Sequence, residues 1–552
     1  MTTDLPPRTD RLWIALVAFS LFLFGWTIRE GQSAGLHRVM PEAIERHESC
    51  VSVAVSDLRY GLKGYTAYRA VRAELQTNGW TWNTDILKQT GLSYPENMTA
   101  RDRLDYGLAR ATSLSHPEKD GVDHLPVFAE DVGYADFVKL GFVLFGYKLG
   151  ALYGAYFVVL GASLALYLFA YRRDVPMLLL IVAFQITLFL LVRALPQIGA
   201  YDVSPQTRFQ LATVTNGRFL GTLGLVPFFH LAGCLLTWPR ATAGRVAVAA
   251  VQAGLLGLAL HFRGSAMWMF ATLFVLAATP AALWLWRNRR GMLTHPVTAA
   301  AAGKLAAARW PAVLVVIGLV AQKAYVSSAT HWTYHGDDGL PNHLFWHNAL
   351  IALEFHPEWK QQAIYPGKGN NDSTAWETVA KRLDDEGIGH KYAVSPLTGA
   401  YKARLHDRLC KQIYLEFARS HPKYMLELFL VHKPKLLAKF VADDWKWIRP
   451  GTRRPDAIGM LAAFAGCLLL AARRPTADSW GVPAVVALAG FGGSMLPLFW
   501  AYPFFHVLGE ALMLAGLCGV VLGVAAVVGL TRIKVPTRWR VRLPGAAGRV
   551  NS

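Results

Sequence analysis

The sequence predicts a mainly α, polytopic membrane fold, and three observations carry that prediction. Of its 552 residues 53% are hydrophobic, and they collect into runs of about 17 to 25, long enough as helix to cross a hydrocarbon core of roughly 30 Å. Two long polar segments separate the runs into blocks. The cations fall mainly in segments that alternate across those runs, as the positive-inside rule requires of short cytoplasmic loops.

Ten runs are read as spans, near residues 12–28, 149–171, 175–195, 219–237, 246–262, 266–286, 310–327, 456–472, 481–500 and 506–530. They give a cytoplasmic N-terminus over 1–11, a first span over 12–28, and an outer loop with an interfacial helix over 29–148. A six-helix block follows over 149–327, then a second outer segment over 328–455, a three-helix block over 456–530 and a basic cytoplasmic tail over 531–552. The first run is rich in Trp and Phe, lacks a small-x-small cleavage site and is followed by Arg29 and Glu30, so it is expected to be a retained anchor and not a cleaved signal.

A formal charge of +19 raises the possibility of a nucleic-acid partner. Its distribution argues otherwise. With the N-terminus inside, the inner segments hold nineteen cations, among them Arg172, Arg173, Arg287, Arg289, Arg290 and six in the tail, against four acids. The basic balance is therefore topology and attraction to anionic lipid, and no nucleic-acid partner is expected.

Within the first outer loop, residues 65–76 and 100–111 have helical patterning. The loop ends in Phe128-Ala129-Glu130-Asp131-Val132-Gly133-Tyr134-Ala135-Asp136-Phe137. From Tyr134 to Lys148 the apolar Phe137, Leu140, Val143, Leu144 and Tyr147 recur at helical spacing, which suits a helix lying in the membrane interface. Glu130 and Asp131 then stand at its N-terminal end, at head-group height. Acids there can be catalytic, or can simply complement the helix dipole.

Between the spans, the outer connection 196–218 carries Arg208 and Arg218, and the tight turn His261-Phe262-Arg263-Gly264-Ser265 carries Arg263. A guanidinium can hold a lipid phosphate in a bidentate fork. Arg263 can equally be a snorkelling interfacial anchor.

The second outer segment contains His343, His347 and Glu354, which share one face if the stretch is a continuous helix. That face offers a polar wall toward substrate, with His343 and His347 as binding residues, or a divalent-metal site from all three. The glutamate of a zinc-protease motif is missing. A helix is expected over 374–386, and two amphipathic helices over 411–447. Glu510 and His506 fall in or near the last span, and intramembrane ionisable residues are functional candidates by default. Five cysteines are sparse and none has the spacing of a zinc or haem motif; Cys50 and Cys410 lie in the two outer segments, where a disulfide between them and two separate thiols are both open.

One span, a large outer loop ending in an acidic pair before an interfacial helix, many short-looped spans and a further outer segment: this pattern resembles the C-type (GT-C) membrane glycosyltransferases. The resemblance implies a polyprenyl-phosphate-linked sugar as donor and a glycan, lipid or protein acceptor at the non-cytoplasmic face of a bacterial inner membrane. It also implies one catalytic acid in the first outer loop, a place that Glu130 or Asp131 occupies. Adjacent side chains on a helix point apart, so one of the two faces substrate, and Asp131 is preferred. Arg263, Arg208 and Arg218 would steady the phosphate. No cofactor is assigned, and a divalent metal stays open. Two other readings stay open: an outer-face glycan ligase or polymerase working from the second outer segment, and a non-enzymatic flippase or assembly protein for lipid-linked glycans.

Overall fold

A computed structural model describes residues 12–36, 44–78, 100–115, 124–126, 132–198, 214–215, 219–237, 241–288, 309–330, 345–360, 372–387, 403–436, 438–439, 464–465, 481–500, 510 and 513–519. Over these residues the chain is mainly helical, with one two-stranded sheet. Six helical segments are long and apolar enough to cross a membrane: Leu12–Ser33, Gly150–Tyr171, Val175–Leu195, Leu220–Thr237, Ala243–Phe262 and Trp310–Ala329. The sixth and ninth runs of the sequence coincide with helices Met267–Asn288 and Gly481–Trp500, which have shorter apolar stretches. The eighth and tenth lie mostly outside the described residues.

Helix α1 (Leu12–Ser33) packs along the later span Val175–Ile198. That partner is apolar on every side and buried nearly throughout, as expected of a central helix. Two polar links fix the pair. The Ser20 hydroxyl donates to Gln185 Oε1 at 2.6 Å while Gln185 Nε2 donates to the Ser20 carbonyl at 3.0 Å, and Arg193 Nε meets Glu30 Oε1 at 3.1 Å. The opposite side of α1 exposes Ile14, Leu21 and Phe22, a face suited to lipid.

The described residues between α1 and residue 132 fold onto this block and share its core. Helix α2 (Ile44–Tyr60) leads through the turn at Gly61 and Gly64 to strand β1 (Thr66–Tyr68) and helix α3 (Arg69–Thr77). The helix expected from residue 65 thus begins four residues later, after a strand, because Tyr65 and its neighbours are extended or left-handed. Helix α4 (Ala100–Thr112) follows, and strand β2 (His124–Pro126) pairs antiparallel with β1, Ala67 facing Leu125. Buried Glu48 accepts from Arg72 Nε at 2.6 Å and Gln76 Nε2 at 2.9 Å, tying α2 to α3.

Helix α5 (Gly133–Phe145) falls where the sequence predicts an interfacial helix. At 13 residues it is too short to span. It buries Tyr134, Phe137, Val138 and Phe142 and exposes Val143, Leu144 and Phe145. Gly146, at φ 80°, stops it, since a left-handed residue costs glycine little. The helices that follow are α6 (Gly150–Tyr171), α7 (Val175–Ile198), α8 (Leu225–Thr237, preceded by a 3-10 turn at Leu220–Gly224), α9 (Ala243–Phe262), α10 (Met267–Asn288) and α11 (Arg309–Ala329). Thr242 caps α9 by accepting from Arg245 N. Helices α9 and α11 meet at Ala253, Gly257 and Gly318, where the backbone of each helix lies against the small residues of the other.

The long polar segment after α11 has its own core. Helix α12 (Phe345–Ile351) ends in a 3-10 turn at Ala352–Phe355. Helices α13 (Asp372–Asp385), α14 (Ala403–Ser420) and α15 (Pro422–Glu427, running into a π turn at Leu428–His432) complete it. Leu350, Leu353, Trp359, Val379, Ile413 and Phe417 fill this core. The helix expected from residue 411 starts eight residues earlier, and Pro422 opens its successor. Cys50 is buried in the first core and Cys410 in the second, and both are free thiols, so the disulfide left open by the sequence is not formed. The last long described helix is α16 (Gly481–Trp500).

Candidate functional site

Where α5 begins, three separate stretches of chain converge. Gly133 lets the first turn of α5 lie against the His261 backbone, since a β-carbon there would strike the His261 carbonyl. The β1–β2 pairing draws the segment around residue 65 to the same place. Close α9–α11 packing brings Tyr325 alongside.

The centre is Asp136, in the first turn of α5. Its Oδ2 accepts from the Tyr65 hydroxyl at 2.5 Å, from His261 Nε2 at 2.7 Å and from the Tyr325 hydroxyl at 3.2 Å. Its Oδ1 meets Lys139 Nζ, one helical turn on, at 2.8 Å. Lys139 also reaches Asp57 Oδ2 at 2.6 Å, and Asp57 Oδ1 binds Lys63. Two carboxylates, two lysines, a histidine and two phenols thus form one connected cluster joining α2, the β1 approach, α5, α9 and α11.

Tyr65 adopts φ 61°, the one non-glycine residue with positive φ among the described residues. A bulky residue held there is strained, typically by 1–3 kcal/mol, so the surrounding contacts must over-determine its position. Its ring lies under Lys139 Nζ, 5.0 Å from the centroid.

Electrostatics follow from these contacts. Burial alone would raise the Asp136 pKa, but the His261 hydrogen bond, the Lys139 charge and the Tyr65 hydroxyl outweigh it and hold the carboxyl well below the usual range. Lys139 is likewise penalised by burial, yet Asp136 and Asp57 keep its pKa raised. Tyr65 is pushed far up by burial and by the negative charge of Asp136, so it stays a neutral donor. Asp136 and Lys139 keep some solvent access, at 15% and 17% of their side chains, while Tyr325 is half exposed. His261 is buried. The open side of the cluster therefore offers a carboxylate, an ammonium and a phenol, a set able to hold a hydroxyl and an anion together.

Of the residues singled out in the sequence, Glu130 and Asp131 lie just outside the described residues, six and five positions before Asp136. Arg208, Arg218, His343 and His506 are outside them as well. Arg263 caps the end of α9 and is 3% exposed, buried in the core with its charge acting on Glu510. Glu510 is wholly buried, and Gly221 makes room for its carboxylate, because a side chain there would occupy the same space. His347 is buried, its Nδ1 2.9 Å from His406 Nε2. Glu354 falls in the 3-10 turn after α12, so it does not share one continuous α-helix with His347. Among the described residues, His347 gathers instead with His406 and Cys410.

Sequence reasoning missed the cluster itself. Asp136 and Lys139 carried a signal, an i, i+3 ion pair on a helix already assigned to the interface. His261 stood in a turn singled out for Arg263. Asp57 and Tyr65 carried none, because their place depends on long-range packing.

By length and composition of its helices, the chain is a multi-pass helical membrane protein. No family model, curated protein or solved structure matches the chain.

Proposed function

We propose that this chain is a C-type membrane glycosyltransferase: it moves a sugar from a polyprenyl-phosphate donor to a hydroxyl of a glycan, lipid or protein acceptor. In this reading it sits in a bacterial inner membrane with ten spans, cytoplasmic termini and both large segments outside. The observation that carries it is Asp136, a partly accessible carboxylate with four donors, set at the head of the interfacial helix. That is the neighbourhood in which the sequence placed Asp131 and Glu130, a few residues earlier.

Asp136 is ionised at neutral pH, the form a base requires. The acceptor hydroxyl takes the position of Tyr325, the most distant and most exposed of its donors. As the acceptor oxygen bonds to the anomeric carbon, the bond from that carbon to the phosphate oxygen breaks and polyprenyl phosphate leaves. The acceptor proton passes to Asp136. Lys139 gives the leaving phosphate a cation; drawn toward it, Lys139 loosens its hold on Asp136 and makes the carboxylate a better base at that moment.

Transfer of labelled sugar from a polyprenyl-phosphate donor, followed in membranes, tests this. Asp136→Asn is expected to lower the turnover by about 100-fold or more, the scale of general base catalysis. Tyr325→Phe, which leaves the base in place, is expected to cost less than tenfold, and Asp131→Asn and Glu130→Gln are compared alongside. Full transfer by a well-folded Asp136→Asn variant would overturn the role given to Asp136.

A further inference from the structure

The second outer segment carries a site of a different kind, independent of glycosyl transfer. On α14, His406 and Cys410 are four residues apart and so share one helix face. His347 reaches them from α12. His406 Nε2 lies 2.9 Å from His347 Nδ1 and 3.4 Å from Cys410 Sγ, and the three donor atoms all fall within 4.8 Å of one another. All three residues are buried.

These spacings are close to those of a metal's ligands. A tetrahedral zinc, with Zn–N near 2.0–2.1 Å and Zn–S near 2.3 Å, keeps its ligand atoms about 3.3–3.6 Å apart. The two nitrogens must therefore part by a few tenths of an ångström, the His406–Cys410 spacing is already that of ligands, and the His347–Cys410 separation closes from at most 4.8 Å, movements within reach of side-chain rotation. The surroundings are already fixed. Asp407 Oδ1 accepts from the backbone N–H of Trp346 at 2.8 Å and of His347 at 3.1 Å, which locks the start of α12 onto α14. Trp376 of α13 stacks on the His406 ring at 3.6 Å. Both histidine positions are thus set by contacts other than the one between the two rings.

We propose that His347 Nδ1, His406 Nε2 and Cys410 Sγ bind one thiolate-accepting transition-metal ion, zinc above all, which joins α12 to α14. Two nitrogens and a sulfur suit zinc and its soft neighbours and offer nothing to magnesium or calcium, which take oxygen. Binding forms two metal–nitrogen bonds and one metal–sulfur bond and releases the Cys410 thiol proton to solvent. Three protein donors leave one tetrahedral position for a fourth.

The full-length protein purified in detergent provides the test. It is stripped with a chelator and titrated with cobalt(II), whose thiolate charge-transfer absorption reports sulfur ligation, and then with zinc. The expected result is one cobalt per chain with a thiolate band, displaced by zinc. Cys410→Ser is expected to abolish the band, and His406→Ala to weaken binding by about 100-fold, on the scale by which metal sites respond to lost support. His421→Ala, outside the trio, is expected to change neither. Circular dichroism and gel filtration check that each variant is folded. Absence of a thiolate band in folded wild-type protein, or a band that survives Cys410→Ser, overturns the proposal and leaves a hydrogen-bonded histidine pair beside a buried thiol.

Discussion

At the scale of single residues, a largely buried acid and a fully buried lysine make opposite demands on pH. Asp136 has its pKa depressed by the fold, so the folded state binds its proton more weakly than the unfolded chain does. Its stabilisation is complete above the unfolded value of about 4 and is lost as pH falls below that. Thermal unfolding of wild type should therefore fall more steeply than that of Asp136→Asn between pH 5 and pH 3, as read from paired melting curves. At pH 7, Asp136→Ala should cost about 3 kcal/mol by leaving His261 and Lys139 short of a buried partner. Parallel curves for wild type and Asp136→Asn over that interval would remove Asp136 as a buried ion-pair centre. Lys433, at the end of the π turn and 1% exposed, is the reverse case: burial lowers its pKa to about 7. Unfolded lysine titrates near 10.4, so the fold bears the full charge penalty below pH 7, and stability recovers as pH rises from there toward 10. Lys433→Met should stabilise the second outer segment at pH 6 by on the order of 4 kcal/mol at most, and by almost nothing at pH 10.5. Equal stabilisation at both values, in denaturant titrations, would mean that packing and not charge sets the effect.

At the scale of elements, the small residues between α9 and α11 decide whether the Asp136 cluster is complete. Gly318 lies against the Ala253 carbonyl and Gly257 against the Gly318 carbonyl, so neither has room for a large side chain. Gly318→Leu should force the helices apart, cost about 1–3 kcal/mol as an overpacked contact, and move Tyr325 away from Asp136 while leaving Tyr65, His261 and Lys139 in place. A disulfide probe engineered across the helices, or fluorescence from a probe beside Tyr325, would register the separation, and an unchanged distance would refute it. Much at this scale was readable beforehand. The spans at 12–28, 149–171, 175–195, 219–237, 246–262 and 310–327 announce themselves through apolar runs, because a lipid-embedded helix must satisfy its backbone internally and cover itself with apolar side chains. The interfacial helix was readable from periodicity within two residues of its start and three of its end. Local elements with competing signals were not. Tyr65 to Gln76 has helical periodicity, but the glycines before it and the pairing of Ala67 with Leu125 turn its first residues into a strand, and strand pairing is a long-range fact.

At the scale of the whole molecule, the same distinction explains what the sequence concealed at the site. Glu130 and Asp131 drew notice because they are adjacent and precede an apolar run, whereas Asp136 gains its environment from Tyr65, His261 and Tyr325, which are 71, 125 and 189 residues away. Likewise His406 and Cys410 meet His347 only when α14 packs on α12, so cysteine spacing alone could not find them. The packing that assembles these sites also divides the molecule energetically. The segment between α1 and α6 shares one continuous core with the apolar helices, from Val51 and Leu75 through Phe137 to Phe228, while residues 349–428 build a separate core. Cooperative unfolding follows shared buried surface, so heating in detergent should give two transitions, and the separate core should answer to its own ligands. Lys433→Met should move only the transition of the second outer segment, and Asp136→Asn only the other. Chelation should lower the first of these and leave the membrane transition unchanged, with zinc restoring it. Differential scanning calorimetry together with Trp fluorescence can separate the two. A single transition that shifts as a whole with either variant would show that the cores unfold as one unit, and that division would have to be abandoned.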